Sequence, residues 1–459
     1  MSTRYDAIII GTGQAGPSLA GRMNSAGMRV ALIERDQIGG TCVNVGCTPT
    51  KALVASARAA HVARRAGDFG VLLDGPVSVD MVRVKARMKD IAGHSTRGLT
   101  SWLEGMQQVD LIRGDARFVG PHTIEVNGEK LQADKIFLNV GARPHVPEMP
   151  GLKEIPFLTS TSVMDLEQVP AHLIVIGGSY IGLEFGQIYR RFGSRVTIME
   201  RGSRLIKRDD PDVSTCVQEI LESEGIDVRC NAECLSVAPH SEGVAVQTAC
   251  DGDQAPVIGS HLLIAVGRTP NTDSLGLDRA GIETDSRGHI LVDDQLCTNV
   301  SGVWALGDCN GRGAFTHTSY NDYEIVAANL FDDDPRRISD RILCYGLFID
   351  PPLGRIGMTE SQARASGRNV LIGKRLMSNV GRARERSETD GFIKILVDRD
   401  TKEILGAAIL GIGGDEVVHS LLDVMYAKAP YTVISRAMHI HPTVSELIPT
   451  TLQSLVPLE

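Results

Sequence analysis

Two cysteines stand out first. The stretch GGTCVNVGCTPTK, Gly39 to Lys51, carries Cys42 and Cys47 with four residues between them. A thiolate is a nucleophile, a metal ligand or half of a disulfide, so three readings compete. A zinc site is weakly supported, because no further Cys or His lies nearby in sequence. Inert buried thiols are the second reading. The third is a redox-active disulfide, which needs an electron source. Thr41 is a good N-cap residue, and the sequence from Cys42 to Arg65 predicts one long helix with Cys42 in its first turn. Positions five apart on a straight helix hold their Cα atoms about 8 to 9 Å apart. A disulfide wants about 4.4 to 6.8 Å. A bridge therefore requires a distorted first turn, which Gly46 and Pro49 permit. A helix start also lowers a thiol pKa.

The elements around this pair supply a candidate electron source. YDAIIIGTGQAGPSLAGRMNSAGMRVALIERD near the start is echoed by HLIVIGGSYIGLEFGQIYRRFGSRVTIMERG from His172. Each reads as apolar strand, glycine turn, helix and second strand ending in an acid. Gly11 to Glu34 and Gly177 to Glu200 both span 23 positions, a spacing harder to obtain by chance than a lone glycine motif. This predicts two dinucleotide-binding units. In the first, Gly11 makes the tight turn, Gly13 admits a pyrophosphate and Gly16 lets helix and strand pack. The helix N-terminus faces the phosphates, and Glu34 accepts from ribose hydroxyls. In the second, Gly177, Ser179 and Gly182 take those places, with serine where the middle glycine is usual. Glu200 at the ribose position repels a 2′-phosphate and favours NADH, although Arg201 and Arg204 follow it.

LQADKIFLNVGARP and GSHLLIAVGRTPNT look like chain crossings between domains, and TNVSGVWALGDC is a strand leading to Asp308. After about Arg337 the glycine turns stop. GFIKILVDRDTKEILGAAILG predicts two strands around a polar turn, and GDEVVHSLLDVMYAKA an amphipathic helix. The fold class expected is α/β: two Rossmann-like dinucleotide-binding domains plus a C-terminal α+β domain. A chain of 459 residues has room for two to four domains at about 150 residues each. A net charge of -9 argues against a general nucleic-acid binder. The N-terminus shows no signal core, and Ile404 to Gly414 is too short to span a bilayer, so no membrane association is expected and the location expected is cytoplasmic. Nine cysteines at irregular spacing are not a disulfide framework, and Cys216, Cys230, Cys234, Cys250, Cys297, Cys309 and Cys344 are read as inert.

The ordered set GxGxxG, GGTCVNVGCTPTK, second dinucleotide turn, ALGD and HPTVSE resembles the class I flavin-dependent pyridine nucleotide–disulfide oxidoreductases, over essentially the whole chain. The resemblance implies FAD as cofactor, NADH or NADPH as reductant and a homodimer with its active site shared between subunits. It implies an FAD-binding domain from 1–148 and 268–337, an NAD(P)H-binding domain at 149–267 and a dimerisation domain at 338–459. FAD would be held by Gly11, Gly13, Gly16, Glu34, Gly40, Thr41, Lys51, Gly141 and Asp308, the last on the ribityl chain. NAD(P)H would meet Gly177, Ser179, Tyr180, Gly182, Glu184, Glu200 and Gly267, with Tyr180 covering the nicotinamide pocket. Lys51 would lie beside flavin N5 with Glu184 as its ion-pair partner. Cys47 would be the flavin-proximal thiol and Cys42 the interchange thiol. His441, oriented by Glu446, would serve the other subunit's thiols. No resident metal is implied.

The acceptor is expected to be a small disulfide. Glutathione reductases place a substrate-binding arginine where this chain has Gly21, with Arg22 next. Mercuric reductases carry a C-terminal cysteine pair, whereas this chain ends LQSLVPLE. IDPPLGRIGMTE is similar to the reactive-chlorine-resistance branch of the family, and the alternative is a metal-ion reductase, mercuric-reductase-like or of Cu(II) type. Dihydrolipoamide dehydrogenase is a further reading, from which Thr48, Ser179 and Pro352 depart. A non-catalytic flavin redox sensor is the reading from a different class.

Overall fold

The computed structural model describes residues 2–233, 235–248 and 255–458. Cys234 and Cys250 lie outside them. The first repeat folds as β1 (Ala7–Ile10), α1 (Ala15–Ser25) and β2 (Val30–Glu34). Every residue of both strands is buried, as a parallel strand covered on both faces requires. They join Val109–Arg113, Lys135–Leu138 and Val303–Ala305 in a five-stranded parallel sheet. The chain leaves β2 through a short loop into α2 (Gly40–Val45) and then α3 (Cys47–Arg64).

The single long helix expected from Cys42 is therefore two. The break falls at Gly46, whose φ of -136° and ψ of -120° leave the helix. A Cβ there would lie 2.7 Å from the Thr41 carbonyl oxygen, so only glycine allows this close turn. The cap also differs from expectation. Gly39, at φ 97°, precedes α2 and Thr41 lies inside it. The left-handed Gly39 and Gly40 start the helix earlier than a side-chain cap at Thr41 would. Cys47, not Cys42, opens the long helix.

The second repeat gives β3 (His172–Ile176), α4 (Tyr180–Phe192) and β4 (Arg195–Met199), in a four-stranded parallel sheet with Asp227–Arg229 and His261–Ile264. The two crossing segments pair with one another: Ala142–Pro144 runs antiparallel to Arg268–Pro270. After Asp308 comes α5 (Thr316–Phe331). The C-terminal part is a six-stranded sheet whose registered pairs are all antiparallel, and the expected hairpin forms its centre as Phe392–Asp398 and Ile404–Leu410. The helix expected over 414–429 is interrupted at Val418, into Gly414–Val417 and His419–Tyr426. Buried side chains of α3, α4 and this sheet share one apolar cluster, which fixes the thiol-bearing helix against the second repeat. No helix among the described residues is long and apolar enough to cross a membrane.

Candidate active site

A continuous cavity of about 2200 Å³ runs from the first glycine turn, past the thiols, to the second glycine turn. Gly11, Gly13, Glu34, Gly40, Thr41 and Gly141 line one end, and Asp308 lies along it. Gly177, Ser179, Glu200 and Gly267 line the other end. Cys42, Cys47, Lys51, Tyr180 and Glu184 face the cavity as well. Gly16 and Gly182 lie behind their turns rather than on the cavity. A Cβ on Gly16 would sit 2.2 Å from the Gly11 carbonyl oxygen, and one on Gly182 2.0 Å from that of Gly177. The two copies thus use their last glycine for the same helix–strand contact.

Both acidic strand ends are held by glycine-turn amides. The Thr12 N–H and hydroxyl donate to Glu34 at 2.9 and 2.6 Å. The Gly178 and Gly202 N–H groups each donate to Glu200 at 2.7 Å. Burial raises the Asp308 pKa, opposed by Arg268 at 3.4 Å. The shape suits a dinucleotide at each end: a helix start, a carboxylate at the end of the second strand, and no bulk at the turn.

At the centre, the Thr316 hydroxyl lies 3.1 Å from Cys42 Sγ and 3.1 Å from Cys47 Sγ. Cys47 is lowered from the ordinary thiol value near 9 to about 6, chiefly by the hydrogen bond from Cys42, with Thr316 and the Lys51 ammonium adding to it against burial. Cys42 is pushed up by that same bond to Cys47 and by burial. The shared hydrogen bond thus favours the thiolate on Cys47 and the thiol on Cys42. Lys51 Nζ is 2.6 Å from Glu184 Oε2 and 4.2 Å from the centre of the Phe348 ring. Glu184 Oε1 accepts from the Phe348 N–H at 3.0 Å, which fixes the carboxylate. By contrast, burial pushes the Cys309 thiol up to about 12 and Cys216 up to about 11, as suits unreactive thiols.

This contrast gives a direct test. In the reduced protein, alkylation of Cys47 by iodoacetamide is expected to rise with pH to a midpoint near 6 and then level off. A depressed thiol pKa means thiolate is present above the midpoint and lost as pH falls through it. Peptide mapping across pH 4.5 to 9 checks this, and a midpoint above about 8 contradicts it.

His441 and Glu446 are brought together but not to the cavity. His441 Nδ1 is 2.9 Å from Glu446 Oε2, and its side chain is 80 % exposed. It sits on an exposed segment with Met438 and Ile440. Arg22 is paired with Asp332 and stacked over Phe331, away from the thiols. A carboxylate cluster close enough to hold a cation, Asp210, Asp212 and Glu360, is filled by the Lys394 ammonium at 2.7 to 2.8 Å.

Several residues at the site carry no local sequence signal. Asn139 accepts from the Gly16 N–H at 3.1 Å and donates to the Leu306 carbonyl at 2.9 Å, tying the first turn to the strand before Asp308. Arg268 comes from a segment expected only to be a chain crossing, and Thr316 and Phe348 from segments for which no role was expected. The one clue available was the arginine of AVGRTP, which follows a strand end.

This arrangement of two dinucleotide turns, one cavity and a thiolate–thiol pair defines a flavin- and pyridine-nucleotide-linked disulfide reductase. The profile described as pyridine nucleotide-disulphide oxidoreductase matches residues 5–322, and its dimerisation domain matches residues 344–452. The chain belongs to the class I pyridine nucleotide–disulfide oxidoreductase family, whose members are FAD-dependent, use NAD(P)H and form homodimers. It is 37 % identical over 451 residues to the probable pyridine nucleotide-disulfide oxidoreductase RclA of Escherichia coli K12, covering 96 % of this chain and 97 % of the relative. The dihydrolipoyl dehydrogenase of Thermus scotoductus is 34 % identical, covering 96 % and 95 %. The mercuric reductase of Staphylococcus aureus is 32 % identical, covering 91 % and 76 %. Among solved structures, the HOCl-induced flavoprotein disulfide reductase RclA from E. coli superimposes with a TM-score of 0.90 at 36 % identity, covering 98 % of this chain and all of the other. Its Cu(II) complex gives the same TM-score at 35 % identity, covering 99 % of each chain.

Proposed function

We propose that this chain reduces a small disulfide at a Cys42–Cys47 couple, and the single observation that carries this is that both thiols meet the Thr316 hydroxyl at 3.1 Å, beside the Lys51–Glu184 pair, in the cavity that joins the two glycine turns. Cys47 is a thiolate held by Cys42, Thr316 and Lys51, and Cys42 is the protonated partner beside it. Gly11, Gly13, Glu34, Gly40, Thr41, Gly141 and Asp308 would hold FAD, with Gly16 supporting the turn and Lys51 beside the ring. Gly177, Ser179, Tyr180, Glu184, Glu200 and Gly267 would meet NAD(P)H, with Gly182 supporting that turn. When bound, the pair supplies the two reducing electrons that keep the cysteines as dithiol.

From the dithiol, Cys42 gives up its proton to His441 of the partner subunit and attacks one sulfur of the substrate. That bond breaks, one half leaves as thiolate, and a mixed disulfide forms on Cys42. The Cys47 thiolate then attacks the Cys42 sulfur, closing the Cys42–Cys47 bond and releasing the second half. The imidazolium of His441 returns its proton to a departing thiolate, and Glu446 holds the ring in orientation. The exposed position of His441 supports a role at a partner's site, since its own chain leaves it outside the cavity.

The carboxylate of Glu200 supports NADH as the preferred reductant. The sheets support division into 1–148 with 268–337, 149–267 and 338–459. The cytoplasm suits the protein, because it holds NAD(P)H and keeps thiols reduced. A second reading is metal-ion reduction: a thiolate–thiol pair suits a soft ion, and a Cu(II) complex exists of the similar RclA structure. A steady-state screen with NADH and NADPH against oxidised glutathione, lipoamide, other small disulfides, Cu(II) and Hg(II) tests both. Turnover of at least one disulfide is expected. Turnover of metal ions with none of a disulfide replaces the first reading by the second. Failure of NADH and NADPH to bleach the flavin anaerobically removes both and leaves the redox-sensor reading.

A further inference from the structure

Between the second glycine turn and the thiols, the cavity is lined by Tyr180. It opens α4 directly after Gly177–Ser179 and stands four residues before Glu184, on the same helix face. A dinucleotide seated on that turn and extending toward Lys51 must pass this ring. The ring is not loose. Its edge meets Phe315 at 5.9 Å and Tyr345 at 5.6 Å between centroids. Its hydroxyl donates to Asp209 Oδ2 at 3.3 Å, and the Tyr345 hydroxyl donates to Asp209 Oδ1 at 3.0 Å. One carboxylate therefore holds two tyrosines that approach the cavity from different parts of the chain.

Asp209 is itself anchored. It is 2 % exposed, and Arg355 Nε stands 4.0 Å from it. Arg355 also reaches Asp210 at 3.4 Å, and Asp210 pairs with the fully buried Lys394. The carboxylate thus belongs to the buried charge network between the second repeat and the C-terminal sheet. Tyr180, in contrast, is only partly buried, on the cavity wall. Turning the Tyr180 ring away from the cavity leaves a buried carboxylate without one of its two hydroxyl donors.

We propose that Asp209 is a positioning residue that holds Tyr180 closed across the nicotinamide end of the cavity, so that nicotinamide entry requires breaking the Tyr180–Asp209 hydrogen bond. This rests on the reading that the Gly177–Gly182 turn holds NAD(P)H. It assigns the opposing force at this gate to a residue 29 positions away on a different element.

Calorimetric titration of the FAD-loaded dimer with NAD⁺ and with ADP-ribose, which lacks the nicotinamide, separates the gate from the turn. Tyr180→Phe keeps the ring and removes its hydroxyl. It is expected to tighten NAD⁺ by about two- to ten-fold, the range of one net hydrogen bond, and to leave ADP-ribose within about two-fold. Asp209→Leu, which removes the acceptor, is expected to act in the same direction, and the double variant to gain no more than Tyr180→Phe alone, because both changes break one bond. Should Asp209→Leu not fold, the Tyr180→Phe pair of titrations still decides. Equal changes for both ligands, or none for NAD⁺, overturn the proposal. If the wild type binds neither ligand, nor NADP⁺ and its 2′-phosphorylated fragment, the reading of the turn itself falls instead.

Discussion

Replacing Cys42 by serine is expected to abolish NAD(P)H-dependent turnover of a small disulfide, by about a thousand-fold or more, while anaerobic bleaching of the flavin persists. A serine hydroxyl does not ionise near neutral pH, so the group that attacks the substrate is lost. Cys47 cannot take over easily. Its thiolate is stabilised where it lies, by Cys42, Thr316 and the Lys51 ammonium, and it stands next to the Lys51–Glu184 pair. The two halves of the assay separate thiol exchange from delivery of electrons to the site. Disulfide turnover that survives the substitution at more than about a tenth of the wild-type rate contradicts the assignment of Cys42. Cys42→Ala should also shift the Cys47 alkylation midpoint upward, because the largest contribution to its lowered value is the bond from Cys42.

Replacing His441 by alanine is expected to lower disulfide turnover by about a hundred- to ten-thousand-fold, the usual range for a lost general acid–base. The loss should fall on the disulfide step and leave flavin bleaching unchanged. The geometry behind this is the pair itself. Glu446, mostly buried, receives His441 Nδ1 at 2.9 Å and 3.1 Å on its two oxygens, and the histidine side chain stays 80 % exposed. A histidine so oriented and so exposed is of use to a neighbouring chain. Mixing inactive Cys42→Ser and His441→Ala dimers under subunit-exchange conditions should restore activity, since each hybrid then has one site with both groups intact. A loss of under about three-fold in His441→Ala, or no rescue on mixing, contradicts a shared site.

The parts of this molecule that were legible in the sequence are those written over short spans. The two strand–turn–helix–strand repeats each occupy about thirty residues, and their glycines and terminal acids answer to local backbone geometry. Cys42, Cys47 and Lys51 lie within ten positions of one another, and His441 and Glu446 are five apart. The central hairpin of the C-terminal sheet was readable for the same reason. The start of α2 was not, because Gly39 and Gly40 take left-handed conformations that no side-chain cap announces.

The sequence by itself determined the class of protein, its two matched glycine turns and its closely spaced pair of cysteines. Only the tertiary structure decided how those thiols differ. Thr316 reaches Cys47 across 269 positions, Glu184 reaches Lys51 across 133, and Asp209 reaches Tyr345 across 136. Thiol acidity and ring position depend on charges and donors within a few ångströms, and folding, not chain order, sets those neighbours. Two cysteines of the same kind in one short motif are thereby shifted in opposite directions.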